Sequence, residues 1–307
     1  PVFRQAASNP KRLVFPDGHH ARILKAAEVC VDQGIAQPIL LGAKDRITAL
    51  AEEYDVDISG IEIIQPWSHE WMEQFVRHLT EIRARKGVTR DVAAKLMKRR
   101  AYFGVMMVQM GYADGFVGGI NKAYAEIIRP ALEICGTRKG VKRASGAYMV
   151  IRGHDLKFFS DTTVNIDPDA ETLAEIAITT ADLARSFIEQ PRVAMLSFSN
   201  FGTTRHPSCR RVADAVRLVK ERRPDIHIEG EMQVDIALNA DLRSGLYPFA
   251  ELEGEANVLI FPDLSAGNIA YKLMGRVGGA DLIGPILLGI DKPINVLERD
   301  TGLQSIV

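Results

Sequence analysis

The residues best suited to chemistry form the stretch Ser197-Phe198-Ser199-Asn200-Phe201-Gly202-Thr203-Thr204. It follows an apolar strand pattern over 193–196 and precedes a helical pattern with Pro207 near its start. Hydroxyls and a glycine at a helix N-terminus offer O–H and backbone N–H donors to an anion. The same composition also makes an ordinary solvated strand–helix turn. Position favours the first reading, because open α/β sheets bind ligands beyond the carboxyl ends of their strands. Ser197, Ser199, Thr203 and Thr204 are therefore candidate ligand residues. A second stretch, Phe261-Pro262-Asp263-Leu264-Ser265-Ala266-Gly267-Asn268, also sits at a strand end, before a helix holding Tyr271 and Lys272. Pro262 and Asn268 join the candidates, and Ser265 either binds or, like Asp263, caps the helix.

A third stretch, Asp114-Gly115-Phe116-Val117-Gly118-Gly119-Ile120-Asn121, leads to Arg129-Pro130. Its paired glycines permit close backbone approach, to a ligand or simply within a tight turn. Arg83, Arg129 and Arg299 stand near the edges of predicted elements, and the arginine fork suits phosphate. With 38 basic residues in the chain, solvated surface charge is the competing reading for any one of them. The histidines show no ligand spacing, and His19, His20, His154, His206 and His227 read as surface residues. No phosphate-binding P-loop, nucleophile elbow, dinucleotide fingerprint or metal-binding carboxylate cluster is present.

The elements needed to position these loops alternate. Strands are predicted over 12–15, 38–41 and 61–64, with helices over 21–33 and 43–53 between them. Two long helices are predicted over 67–85 and 91–110. A second series runs through strands 147–151 and 156–159, helix 171–190, strand 193–198, helix 208–222, strand 226–229, helix 233–240, strand 257–261, helix 266–276 and a last apolar run over 285–288. Strand–helix alternation implies parallel sheets covered on both faces. The expected architecture is α/β, two Rossmann-like doubly wound lobes with a phosphate-holding cleft between them. Lobe one is 1–139 plus 289–307, the chain crossing back over 291–299, and lobe two is 140–288.

Composition bounds the class. The chain has 307 residues, 47% hydrophobic and 25% charged, with a formal net charge of −1. That balance gives no bulk attraction to nucleic acid or an anionic membrane. No apolar run approaches the ~20 residues of a membrane helix, and the polar start, Pro1 to Lys11, is no signal peptide. Three scattered cysteines, Cys30, Cys135 and Cys209, read as free thiols and place the protein in the cytoplasm.

Taken together, the stretches 112–117, 128–132, 173–178, 193–199, 230–233, 256–263, 267–272 and 284–287 resemble the phosphate acetyltransferase (phosphotransacetylase) family, in the family's order. More closely, Pro1-Val2-Phe3-Arg4 through Pro10-Lys11-Arg12, and Lys86-Gly87-Val88-Thr89, resemble the acetyltransferase-like half of bacterial hybrid NADP-dependent malic enzymes. The missing initial Met fits a segment of such a chain. The resemblance implies an isocitrate/isopropylmalate dehydrogenase-like pair of lobes, acetyl transfer between coenzyme A and phosphate, and a homodimer or higher homo-oligomer. It places Arg83 and Arg129 among active-site arginines. Arg299 matches the arginine of the family's terminal motif, here Asn295-Val296-Leu297-Glu298-Arg299-Asp300. The family's catalytic serine is thus Glu298, its proposed base aspartate is Ser305, and its Ser-Gly-Ala loop is Gly118-Gly119-Ile120-Asn121-Lys122-Ala123.

Losing a base for the thiol and gaining a carboxylate near the reacting phosphate both oppose acetyl transfer. The expectation is therefore an inactive regulatory domain with no catalytic residue and no metal of its own. It binds acetyl-CoA or another CoA thioester as an allosteric effector and supports oligomerisation. NADP and Mg or Mn belong to a malic enzyme catalytic domain in the same chain. The alternatives are an active phosphate acyltransferase and a purely structural oligomerisation domain.

Overall fold

Short apolar runs become strands, and the longer amphipathic runs become helices that cover them. The structure, a computed structural model, describes every residue except Pro1, Asn121, Arg299 and Asp300, and no side chain of Val2, Phe3, Gln5 or Gln304. The described strands are β1 (Lys11–Phe15), β2 (Ala36–Leu41), β3 (Glu62–Ile64), β4 (Gly115–Gly118), β5 (Ser145–Arg152), β6 (Asp155–Ser160), β7 (Arg192–Leu196), β8 (His227–Met232), β9 (Val258–Ile260), β10 (Asp281–Leu288) and β11 (Ile294–Val296). The chain divides into two units, Pro1–Thr137 with Ile290–Val307, and Arg138–Gly289.

The first unit holds an all-parallel sheet in the order β11-β4-β1-β2-β3. One face packs Phe15 and Leu40 against Ile23, Leu24 and Ala27 of helix Ala21–Asp32. Burying each such side chain contributes roughly 1.5–3 kcal/mol. On helix Arg100–Gln109 every residue from Tyr102 to Val108 is buried. Gly104 lets this helix lie close, since a Cβ there would stand 3.1 Å from the Phe116 ring and 3.2 Å from Leu41. The predicted helix over 91–110 is in fact two, Arg90–Met97 and Arg100–Gln109. The break carries no proline or glycine; apolar periodicity runs through it, and packing of the second helix decides it.

The second unit is built on the order β10-β5-β6-β9-β7-β8. Strands β6, β9, β7 and β8 are parallel, as a doubly wound lobe requires. Strands β5 and β10 depart from that expectation: β5 is antiparallel to both β6 and β10. Only Gly153 and His154 separate β5 from β6, and so short a link can only return the chain antiparallel. The lobe is a mixed sheet. Helix Ala170–Ala184 ends short of the predicted 190, after which the chain turns and sets the Phe187 ring 5.9 Å from Phe158. Arg243, 2% exposed, ties the segment after β8 by donating to the carbonyls of Ile236 (2.9 Å), Ala237 (3.3 Å), Leu252 (2.6 Å) and Gly254.

Candidate functional site

The first sheet reverses its direction of growth between β1 and β4, because β2 and β3 are laid to one side of β1 and β4 to the other. Such a reversal leaves a crevice at the strands' carboxyl ends. Gly118 brings the two ends together, since a Cβ there would overlap the Pro16 ring. Gly119 adopts φ 102°, a conformation open to glycine, and its N–H donates to Asp17 Oδ2 at 2.7 Å. Leu297, just past β11, donates its N–H to the Gly118 carbonyl at 2.8 Å. The paired glycines are thus required by the tight junction of β1, β4 and β11.

At this junction lies a cavity of about 490 Å³, with Asp17, Trp67, Tyr102 and Pro130 in its wall. Five cations, Lys98, Arg99, Arg100, Lys122 and Arg129, line it against two carboxylates, Asp17 and Glu126. Both carboxylates are engaged locally: Asp17 accepts from Gly119, and Glu126 caps its helix by accepting from the Ala123 N–H at 3.1 Å. The cavity is therefore electropositive, as an anion site must be. Arg100 meets the His19 ring, with Nη2 3.2 Å from Nε2 and Nη1 in contact with Nδ1. Burial, and then the Arg100 charge, hold His19 below the usual histidine range. His19 is thus part-buried and engaged, contrary to its reading as a surface residue, while His20 caps helix Ala21–Asp32 by accepting from the Arg22 N–H.

Arg83 ends helix Met72–Arg83, and its Nη2 lies 3.9 Å from Glu133 Oε1. The other Glu133 oxygen accepts the Tyr102 hydroxyl at 2.7 Å. Burial, and then this bond, push the Tyr102 hydroxyl above its ordinary pKa, while the nearby Arg129 and Arg99 charges pull the other way. The Arg83 Nε is buried with no hydrogen-bond partner among the described residues. Helix Tyr124–Ile134 supplies Arg129 and Glu133 four residues apart, hence on one face. Of the three predicted arginines, Arg83 faces the Tyr102–Glu133 pair directly, and Arg129 acts on Tyr102 only through its charge. The third, Arg299, lies outside the described residues, as does Asn121.

In the second unit, β7 and β9 form the corresponding reversal. The predicted hydroxyl loop follows β7, but its groups are largely occupied by one another. Ser199, 1% exposed, donates to Glu231 Oε1 at 3.2 Å, stands 3.1 Å from Thr203 Oγ1 and accepts from the Thr204 N–H at 3.0 Å. Gly202 also donates to Glu231, at 2.6 Å, and Ser197 meets the Cys209 sulfur at 3.6 Å. After β9, Asp263 caps the helix by accepting from the Ala266 N–H at 2.9 Å. The Pro262 carbonyl accepts from Arg211 Nη2 at 3.3 Å, and Asn268 Nδ2 donates to the Thr162 carbonyl at 3.2 Å.

Glu298 is exposed just beyond β11, and its carbonyl accepts from the N–H of Thr301 at 3.2 Å and its hydroxyl at 2.7 Å. Ser305 is exposed on helix Leu303–Ile306. Two of the three thiols are poor nucleophiles: burial pushes Cys30 up to about 11 and Cys135 up to about 12. Sequence reasoning missed Lys98-Arg99-Arg100, Tyr102 and Glu133. The basic run was the one available signal.

The family model for phosphate acetyl/butaryl transferase matches residues 1–307. A phosphate acetyltransferase of Bacillus subtilis is 39% identical over 99% of this chain and 94% of its own length. One of Thermoanaerobacterium thermosaccharolyticum is 41% identical over 100% and 95%. The crystal structure of a phosphotransacetylase from Streptococcus pyogenes superposes with a TM-score of 0.94 at 36% identity, covering 99% of this chain and 93% of that one. These matches carry the mixed α/β fold with parallel strands; the finer likeness to isocitrate and isopropylmalate dehydrogenases does not follow from them. They overturn the expectation of an inactive malic enzyme regulatory domain. Relatives aligned along the whole of this chain are named for acetyl transfer, and neither a malic enzyme half, NADP, oxidoreductase chemistry nor allosteric control is supported by them. The expected inactivity rested on Glu298 and Ser305, and the malic enzyme context on the stretches 1–12 and 86–89; the kinship of the whole chain outweighs both. The chain belongs to the phosphate acetyl/butaryl transferase family.

Proposed function

We propose that this chain is an active acyltransferase that moves an acetyl group between coenzyme A and inorganic phosphate. Arg83, Arg129 and Arg299 hold the phosphate, and a CoA thioester is the second substrate. In the direction of acetyl phosphate synthesis, a phosphate oxygen attacks the thioester carbonyl. The C–S bond breaks, and the CoA thiolate leaves and takes up a proton. The reverse reaction needs that thiolate as nucleophile. Arginines suit both directions, since they bind phosphate through paired N–H donors and lower the energy of the oxyanion that forms at the carbonyl.

The observation that carries this reading is the convergence of Arg129, Tyr102 and four further cations on one cavity at the β1/β4 reversal, with Arg83 reaching the same Tyr102–Glu133 pair. Glu298 and Ser305 stand where the resemblance puts a serine and an aspartate, so the proposed chemistry relies on the cations rather than on those two groups. The hydroxyl loop after β7 supports the second unit's own fold and is an accessory part of the proposal. The free cysteines fit a reducing cytoplasm, and a homodimer or higher homo-oligomer accords with the resemblance.

The test is release of free CoA from acetyl-CoA in the presence of phosphate, followed with a thiol reagent. Phosphate-dependent release that Arg129→Ala weakens at least about tenfold in kcat/KM supports the reading; absence of release at any phosphate concentration refutes it.

A further inference from the structure

The Arg83 guanidinium has its Nη2 3.9 Å from a carboxylate and its Nε buried without a partner among the described residues. The carboxylate, Glu133, is itself fixed: its second oxygen accepts the hydroxyl of Tyr102, which is 4% exposed and rooted in the buried helix Arg100–Gln109. Glu133 also lies one helical turn beyond Arg129. One carboxylate thus connects the helices that carry Arg83, Tyr102 and Arg129.

We infer that Glu133 is a positioning residue for acyl transfer, fixing the plane of the Arg83 guanidinium, with Tyr102 as the anchor that fixes Glu133. This rests on the proposed phosphate site and adds a residue to it. Glu133 touches no substrate in this scheme. It acts through Arg83, whose fork binds two phosphate oxygens well only when its plane is set beforehand.

The sign of one substitution separates this role from a merely electrostatic one. Glu133→Gln removes a negative charge beside an anion site, so simple Coulomb attraction predicts tighter phosphate binding. A positioning role predicts the opposite, because the neutral amide holds a guanidinium weakly. In the full chain, inorganic phosphate is titrated by calorimetry, and the KM for phosphate is measured in acetyl-CoA turnover. Glu133→Gln is expected to raise both Kd and KM about tenfold, the loss of one charge-assisted contact, with kcat changed less than about threefold. Glu133→Asp, which keeps the charge, recovers part of the loss. Tyr102→Phe removes only the anchoring hydroxyl, serves as the second variant if Glu133→Gln does not fold, and is expected to raise Kd about threefold.

Unchanged or tighter phosphate binding in folded Glu133→Gln overturns the inference, as does unchanged binding in Tyr102→Phe should that variant stand in. If the unsubstituted chain binds phosphate but shows no turnover, the acyl-transfer reading fails and the titration still decides the role of Glu133. If turnover is normal and the variants leave Kd and KM unmoved, the inference alone fails. A chain that binds no phosphate at all ends both.

Discussion

Arg129→Ala separates binding from stability. Arg129 is exposed and lines the cation cavity, and no described residue forms a hydrogen bond or salt bridge with it. Its truncation should therefore change folding free energy by less than about 0.5 kcal/mol. In the proposed site it donates charge-assisted hydrogen bonds to phosphate, and losing these costs about 1.5–3 kcal/mol. At about 1.4 kcal/mol per factor of ten, kcat/KM for phosphate falls by about 10- to 150-fold. Arg83→Ala should differ. It leaves Glu133 without its cation, and both side chains are 25% exposed. A loss of about 1 kcal/mol is expected, which lowers Tm by about 2–4 °C in a domain of this size. The assay pairs initial rates at saturating acetyl-CoA and varied phosphate with thermal unfolding of both variants. An Arg129→Ala protein within twofold of the parent in kcat/KM would refute the assignment of this cavity to phosphate. An equal fall in Tm for both variants would refute the view that only Arg83 has a structural partner.

If Glu298 stands at the proposed phosphate site, as the family motif implies, Glu298→Ser should raise kcat about tenfold in the same assay by replacing a carboxylate with a hydroxyl donor; an unchanged kcat would place Glu298 away from the chemistry. Arg243→Met should destabilise the chain by at least about 3 kcal/mol in urea unfolding, because it removes the buried donor that the carbonyls of Ile236, Leu252 and Gly254 share, while Ala237 keeps the Ala256 N–H. His19 is held below the usual histidine pKa of about 6.5 by burial and by Arg100, so below that pH the unfolded chain takes up the proton first. Its contribution thus destabilises the folded state progressively as pH falls from about 6.5 toward the lowered folded value. His19→Asn should show a shallower loss of Tm between about pH 7 and 5, and an identical slope would contradict the assignment.

Much of the fold was legible because the apolar runs have the right period and length. Strands such as β1 and β2 and the helices between them follow directly from that pattern. Where the reading failed, the deciding contacts came from far along the chain. Nothing near residue 98 announces a helix break, since the stretch carries neither proline nor glycine. The hydroxyl loop after β7 was legible as a strand–helix loop, but Glu231, which accepts from Ser199 and Gly202, arrives from another strand. Lys98-Arg99-Arg100 looks like any solvated basic run until β1 and β4 place it beside Asp17. Arg83 and Arg129 were singled out by their place at the edges of predicted elements, and the resemblance then set them apart from the other basic residues. Tyr102 and Glu133 were missed because a tyrosine and a glutamate 31 residues apart reveal their bond only in the folded chain.

The seam between β4 and β11 has a consequence for biosynthesis. A ribosome delivers β4 before any of the second unit and β11 only after all of it. Throughout that interval the outer edge of β4 has backbone donors and acceptors with no neighbouring strand, and a nascent chain is then open to wrong pairing and to chaperone capture. The Leu297–Gly118 bond at the carboxyl end of the sheet forms only after β11 emerges, so the proposed phosphate site is completed only when the late strand docks.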